Sequence, residues 1–289
     1  MTMNLRILLP ALAMLVFLAA PARAQLPPEV QGDLLVDKIT EAIAAKNYAH
    51  AERLFRDYEA LELPIPAPLM VHRALVYYQL GRAEQALETL EAYLSVADRG
   101  SAGYARALKM YKDIEKAKAE KERLRAGLWD AAQNGDADRV ALLINDGADI
   151  NATDEESGGT PLHRAAEKDS LNVATLLINN GADINAKNKN GDTPLNWTAE
   201  EDSLNVATLL INNGADINAK NKDGYTSLHR AAEKDSLNVA TLLINNGADI
   251  NAKNKNGDTP LSVAKSDEMK ALLPKRKNRG GGAGTGNAK

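Results

Sequence analysis

The chain has 289 residues, a formal net charge of −4 at pH 7 and no cysteine. The length leaves room for two domains, and the mild acidity argues against a nucleic-acid binder. The cysteine count excludes disulfides, thiolate metal sites and a lipidated cysteine.

The first 24 residues read as a secretory leader. Arg6 gives a positive start, residues 7–20 form an apolar run, and Ala22-Arg23-Ala24 fits a small-residue cleavage pattern. Cleavage after Ala24 removes Arg6 and Arg23 and no acid, which moves the net charge from −4 to −6. A retained anchor is the alternative, but the run falls short of the roughly 20 residues that span a bilayer. No other segment approaches a span, so no integral membrane span is expected after cleavage. Residues 25–33, with Pro27-Pro28, read as an extended lead-in, and helical periodicity starts near Leu34.

Residues 34–115 contain two helical hairpins. In each a small residue, Ala51 or Ala86, allows close helix approach and a larger one, Phe55 or Leu90, follows four positions later. The 35-residue spacing of Ala51 and Ala86, with Pro64, Ala74, Tyr77 and Gly81, resembles the tetratricopeptide repeat. Lys46 stands where that family favours glycine, and a generic helical bundle is the alternative. Residues 104–125 alternate in charge without Gly, Pro or Ser, so 116–126 reads as a helical connector with a solvated face.

Residues 160–258 repeat a 33-residue unit, marked by Thr160, Thr193, Thr226 and Thr259, and the eighteen residues 170–187 recur unchanged at 203–220 and 236–253. Thr160-Pro161 is a helix start, because the hydroxyl caps free N–H groups and proline at the first position forgoes a donor that had no partner. Leu171, Val173, Ala174, Leu176, Leu177 and Ile178 then give a second helix. Gly181 stops it, and Asn190-Gly191 marks a hairpin. Thr-Pro-Leu-His, the Ala-Ala pair, Leu-Leu and Gly-Ala-Asp-Ile-Asn resemble the ankyrin repeat. One such unit cannot bury its own apolar face, so several must stack.

Leu128-Trp129-Asp130-Ala131-Ala132 aligns as a first capping copy, with a hairpin one residue longer than the others. A shortened copy from Thr259, stopped by Pro274, closes the array. The expected fold is mainly α: a two-module α-solenoid of tetratricopeptide-like hairpins followed by five ankyrin units at 127–274 with short β-hairpin loops. Residues 275–289 read as a basic, glycine-rich disordered tail, either merely solvated or in weak contact with an anionic surface.

No constellation for catalysis appears. The resemblance gives His163 and His229 a structural hydrogen-bonding role, and His50 and His72 lack partners at a recognisable spacing. Asp183-Ile184-Asn185 lacks the alternating ligands and terminal glutamate of a calcium loop, so neither a metal site nor a cofactor is expected. Asn151-Ala152-Thr153 and Asn196-Trp197-Thr198 match glycosylation acceptors.

In near-identical copies the informative positions are those that differ. After the family's His, which the resemblance places on a concave face, the array reads Asp130, Arg164, Trp197, Arg230 and Val263. Around these, Glu167-Lys168 becomes Glu200-Glu201 and then Glu233-Lys234, and Tyr225 adds an aromatic before Thr226. An exposed Trp197 flanked by arginines has the composition of an interface hot spot; tolerated drift is the alternative. The expected function is a non-enzymatic, exported adaptor, periplasmic or secreted, that binds one or more proteins. An envelope-binding or stress-protection role that shields an enzyme is the second reading, and a hydrolase with an unrecognised site a remote third.

Overall fold

The computed structural model describes residues 26–273; the expected leader (1–24) and basic tail (275–289) lie outside the described residues. Those described are mostly helical, with no strand among them. They divide into two compact units, 26–118 and 119–273.

The first unit contains α1 (Pro28–Ala44), α2 (Tyr48–Glu59), α3 (Ala67–Gln79), α4 (Ala83–Val96) and the start of α5 (Ala102–Asn134). The helix begins at Pro28, not near Leu34, because proline in the first turn loses no needed hydrogen bond and Glu29 lies favourably at the positive helix end. Ala51 and Ala86 are fully buried, and Phe55 and Leu90 pack into the two local cores. Lys46 and Gly81, 35 residues apart, both turn the chain with positive φ, 56° and 78°. A side chain in that conformation costs about 1–2 kcal/mol.

The second unit is a stack of helix pairs: the end of α5 with α6 (Ala137–Asn145), α7 (Pro161–Glu167) with α8 (Leu171–Asn179), and α9 (Pro194–Glu201) with α10 (Leu204–Asn212). Then come α11 (Ser227–Lys234) with α12 (Leu237–Asn245), and α13 (Pro260–Val263) with α14 (Asp267–Leu272). Leu128, Leu162, Leu195 and Leu228 form one buried row, and Leu143, Leu177, Leu210 and Leu243 another. Met269 and Leu273 close the core at its far end. The expected connector, 116–126, and the first helix of the array are a single helix, α5. The division between the units falls within it, upstream of the 126/127 boundary read from the sequence.

Polar side chains stitch each unit to the next. Asn151, Asn185 and Asn218 accept from the backbone N–H of Asp183, Asp216 and Asp249 at 2.8–2.9 Å. Asp169 and Asp202, each with positive φ, accept from the N–H of Val206 and Val239 one unit on, at 2.9 Å. The hairpin loops are tight turns rather than strands. Asn188 accepts from the N–H groups of Asn190 and Asp192, and single bonds such as Lys189 N–H to the Ser157 carbonyl link successive loops. One bond per junction is too few for a ladder.

Replacing Lys46 by glycine relieves its left-handed backbone. We expect Lys46→Gly to stabilise the first unit by about 0.5–1.5 kcal/mol, read as a higher urea midpoint by circular dichroism.

Candidate protein-docking surface

The inner helices α7, α9 and α11 begin with the same device. The Thr160 N–H donates to His163 Nδ1 at 3.1 Å, and the Thr160 hydroxyl lies 2.9 Å from the same nitrogen. This fixes the proton on Nε2, which donates across to the Asp192 carbonyl of the next unit at 3.1 Å. His229 repeats the arrangement with Thr226 and the Asp258 carbonyl. Burial pushes the His163 imidazole down to about 4 and lowers that of His229 as well. Both histidines are therefore neutral bridges between units.

The residue after each histidine position lies at the surface of this row, but the expected set is sorted into local groups. Arg164 lies between the protein's two tryptophans, its guanidinium 4.6 Å from the Trp129 ring centre and 5.4 Å from that of Trp197. Trp197 is half-buried rather than exposed, and its edge meets His163 at 5.2 Å between ring centres. Arg230 does not join it. Its recorded contacts are with Tyr225, 5.3 Å from the ring centre, and with Asp192 and Glu233 at 3.7 Å.

The charges are paired along the row. Glu167 accepts from Arg164 at 2.5 Å and Lys168 at 3.0 Å. Burial alone raises its carboxyl, yet these two hydrogen bonds outweigh burial and leave it below the ordinary value. Lys234 bonds Glu200 at 2.6 Å, which raises the ammonium above its usual range. Asp130 and Glu201 are exposed without an ion pair among the described residues.

Two contributors escaped the sequence: Trp129 and Gly159. A Cβ on Gly159 would sit 3.2 Å from Trp129 and 3.4 Å from Trp197. The other copies carry Asp192, Tyr225 and Asp258 at that position, so Gly159 leaves room for the two indole edges. The signal was present as a coincidence of departures in neighbouring copies, but only the fold places those three residues together. Asn196 and Thr198, which mark the same copy, are buried and face inward. Asn196 accepts from Thr193, and the Thr198 hydroxyl donates to the Leu195 carbonyl at 2.9 Å. The Asn196 acceptor motif is thus closed to modification in the folded chain, and the Asn151 side chain is bonded to Asp183 and Gly181.

A cleft of about 490 Å³ beside Trp129 is lined by alternating charges that include Arg123, Arg125, Arg139, Asp130 and Asp154. Arg125 is tied to Glu122, Glu155 and the Thr153 carbonyl. Burial pushes the Asp154 carboxyl up, but bonds from Ser157, Gly159 and Glu156 overcome this and hold it low. Among the described residues no group of three or more His, Cys, Asp or Glu is placed to hold a metal. No helix among them is long and apolar enough to cross a membrane.

Paired short helices, histidine bridges and asparagine-stitched turns recur at one period, and a family model for ankyrin repeats matches residues 103–188, 128–221, 177–254 and 213–280. The chain belongs to the ankyrin repeat family. The matched stretches begin within α5 and cover more than half of the 289 residues. A search of the curated proteins finds no match.

Two outcomes follow from this geometry. Gly159→Asp, which supplies the residue of two other ankyrin units, should destabilise the array by about 1–3 kcal/mol, seen as a lower thermal midpoint. The His163 bridge also carries a pH dependence. Its folded value near 4 lies below the ordinary 6.5, so the unfolded chain binds more protons between those limits. The associated stability is complete above pH 6.5 and fades as pH falls towards 4. His163→Asn should therefore flatten the acid dependence by about 2.5 kcal/mol between pH 7.5 and 4.5, measured by urea unfolding at both values.

Proposed function

We propose that this ankyrin repeat protein is a non-enzymatic scaffold that binds protein partners through its inner-helix row. Ankyrin repeats generally mediate protein–protein interaction, which gives the class of partner. The observation that carries the site is the Trp129–Arg164–Trp197 stack. It presents a half-buried indole already held by a guanidinium and an imidazole, so little rotamer freedom remains to be lost on binding. Trp and Arg are the side chains most often found at interface hot spots. The neighbouring pairs Arg164–Glu167, Lys234–Glu200 and Arg230–Glu233 surround it with a polar rim.

The helices of the first unit, read as tetratricopeptide-like, supply a second binding surface. The leader read at residues 1–24 supports export to the periplasm or secretion. A scaffold of this kind brings two partners together or shields one of them.

The test is affinity capture from a periplasmic extract with the intact protein beside Trp197→Ala. We expect a discrete set of proteins to be retained by the former, with binding weakened by at least about 2 kcal/mol, roughly 30-fold, in the variant while helix content is unchanged. Equal retention by both removes Trp197 from the docking surface.

A further inference from the structure

The junction between the third and fourth ankyrin units departs from its neighbours at three positions at once. The inner-helix histidine is replaced by Asn196, the first-turn proline by Ser227, and the residue before the capping threonine is Tyr225 where the neighbouring units carry Asp192 and Asp258. At the junctions on either side an imidazole spans the gap, His163 to the Asp192 carbonyl and His229 to the Asp258 carbonyl, each at 3.1 Å. Asn196 is too short to do so. Its carbonyl oxygen serves Thr193, at 2.8 and 2.9 Å. Its Nδ2 is buried and has no acceptor among the described residues. Ser227, fully buried, brings a hydroxyl that likewise has no partner there, at a position where proline carries no polar side-chain atom. A buried polar group left unpaired destabilises the state that buries it. Here two such groups coincide with a missing cross-unit hydrogen bond.

What remains at this junction is the apolar core that runs through it, with Leu195, Leu210, Leu228 and Leu243, and a set of bonds around that core. Asn221 donates to Asp192 at 2.7 Å and the Lys222 N–H to the Asn190 carbonyl at 2.9 Å in the hairpins, while Asp202 caps α12. The ion pair Lys234–Glu200 is partly solvated, and such pairs contribute little, while Arg230 reaches the buried Asp192 only at 3.7 Å. Upstream, Arg164 also has a buried Nε without an acceptor among the described residues, but its guanidinium bonds Glu167 and contacts both indoles, so the Trp129–Arg164–Trp197 stack links the first three units. The stability of a linear stack is approximately the sum of its units and nearest-neighbour interfaces, so opening begins at the weakest interface.

We infer that the array has a built-in break point between α9 and α11. The block beginning at Thr226 opens and unfolds as one piece while the braced units upstream stay folded. Released, that block holds two units, fewer than the three or so a repeat stack needs. Because Arg230, Glu233 and Lys234 belong to it, opening dismantles one end of the inner-helix row and leaves Trp197 in place.

Hydrogen–deuterium exchange on the full chain tests this. In the native protein the amides of α11 and α12 should exchange at one shared rate, at least tenfold faster than those of α9 and α10. The double variant Asn196→His, Ser227→Pro, which restores the residues of the other units, should slow α11 and α12 at least tenfold and leave α7 unchanged. In the opposite sense, His163→Asn should accelerate α9 and α10 by a similar factor. A smooth gradient of rates towards the end of the chain overturns the inference, as does a restored variant whose α11 and α12 exchange as before. If the restored variant does not fold, His163→Asn decides: no acceleration in α9 and α10 overturns it.

Discussion

Helices of seven to nine residues do not persist in water, because nucleation costs more than so few hydrogen bonds return. The stack from α6 to α12 consists of helices of that length. The bond between units is therefore the constraint on which everything else depends. Each apolar face is covered only by its neighbour, and the aspartates and asparagines of one unit satisfy backbone N–H groups of the next. The buried, neutral histidines belong to the same scheme. They act as spacers that reach from one helix start to the next loop, and their lowered basicity is a consequence of burial rather than a sign of catalysis.

Much of this was legible before any coordinates. Thr160 and its equivalents announced helix starts at a constant interval, and the helical spacing of Leu171, Val173, Ala174, Leu176, Leu177 and Ile178 announced the second helix of the pair. The start of α1 was misplaced because a Pro-Pro pair reads as extended chain, whereas the second proline is compatible with a first helical turn. Lys46 in a left-handed turn was visible only as a departure from a favoured glycine. The candidate surface was half legible. Repeat register identified Arg164, Trp197 and Arg230 as equivalent positions, but equivalence does not say which of them touch. Contact depends on how far each side chain leans towards the unit before or after it. That lean brings Arg164 to both tryptophans and sends Arg230 to Tyr225.

The departures from repetition divide into two kinds. Trp129, Gly159 and Trp197 compensate one another, since the small residue admits the two large ones and the guanidinium fills the space between them. Asn196 and Ser227 each leave a polar atom in a dry place, as Arg164 does with its Nε, but Arg164 has the bond to Glu167 and the two ring contacts beside it. The distinction cannot be drawn from substitution alone, since His to Asn and Pro to Ser are both modest changes in size. It emerges from asking where every buried donor and acceptor goes.

The stack has an optical consequence. Both indoles of the protein sit in one cluster that draws on the first three ankyrin units. Intrinsic tryptophan emission is therefore a local probe, reporting whether that cluster is intact and carrying no indole signal from the helices of residues 26–118 or from the units after Thr226. A spectroscopist who followed emission alone would see one part of the chain melt and mistake it for the whole.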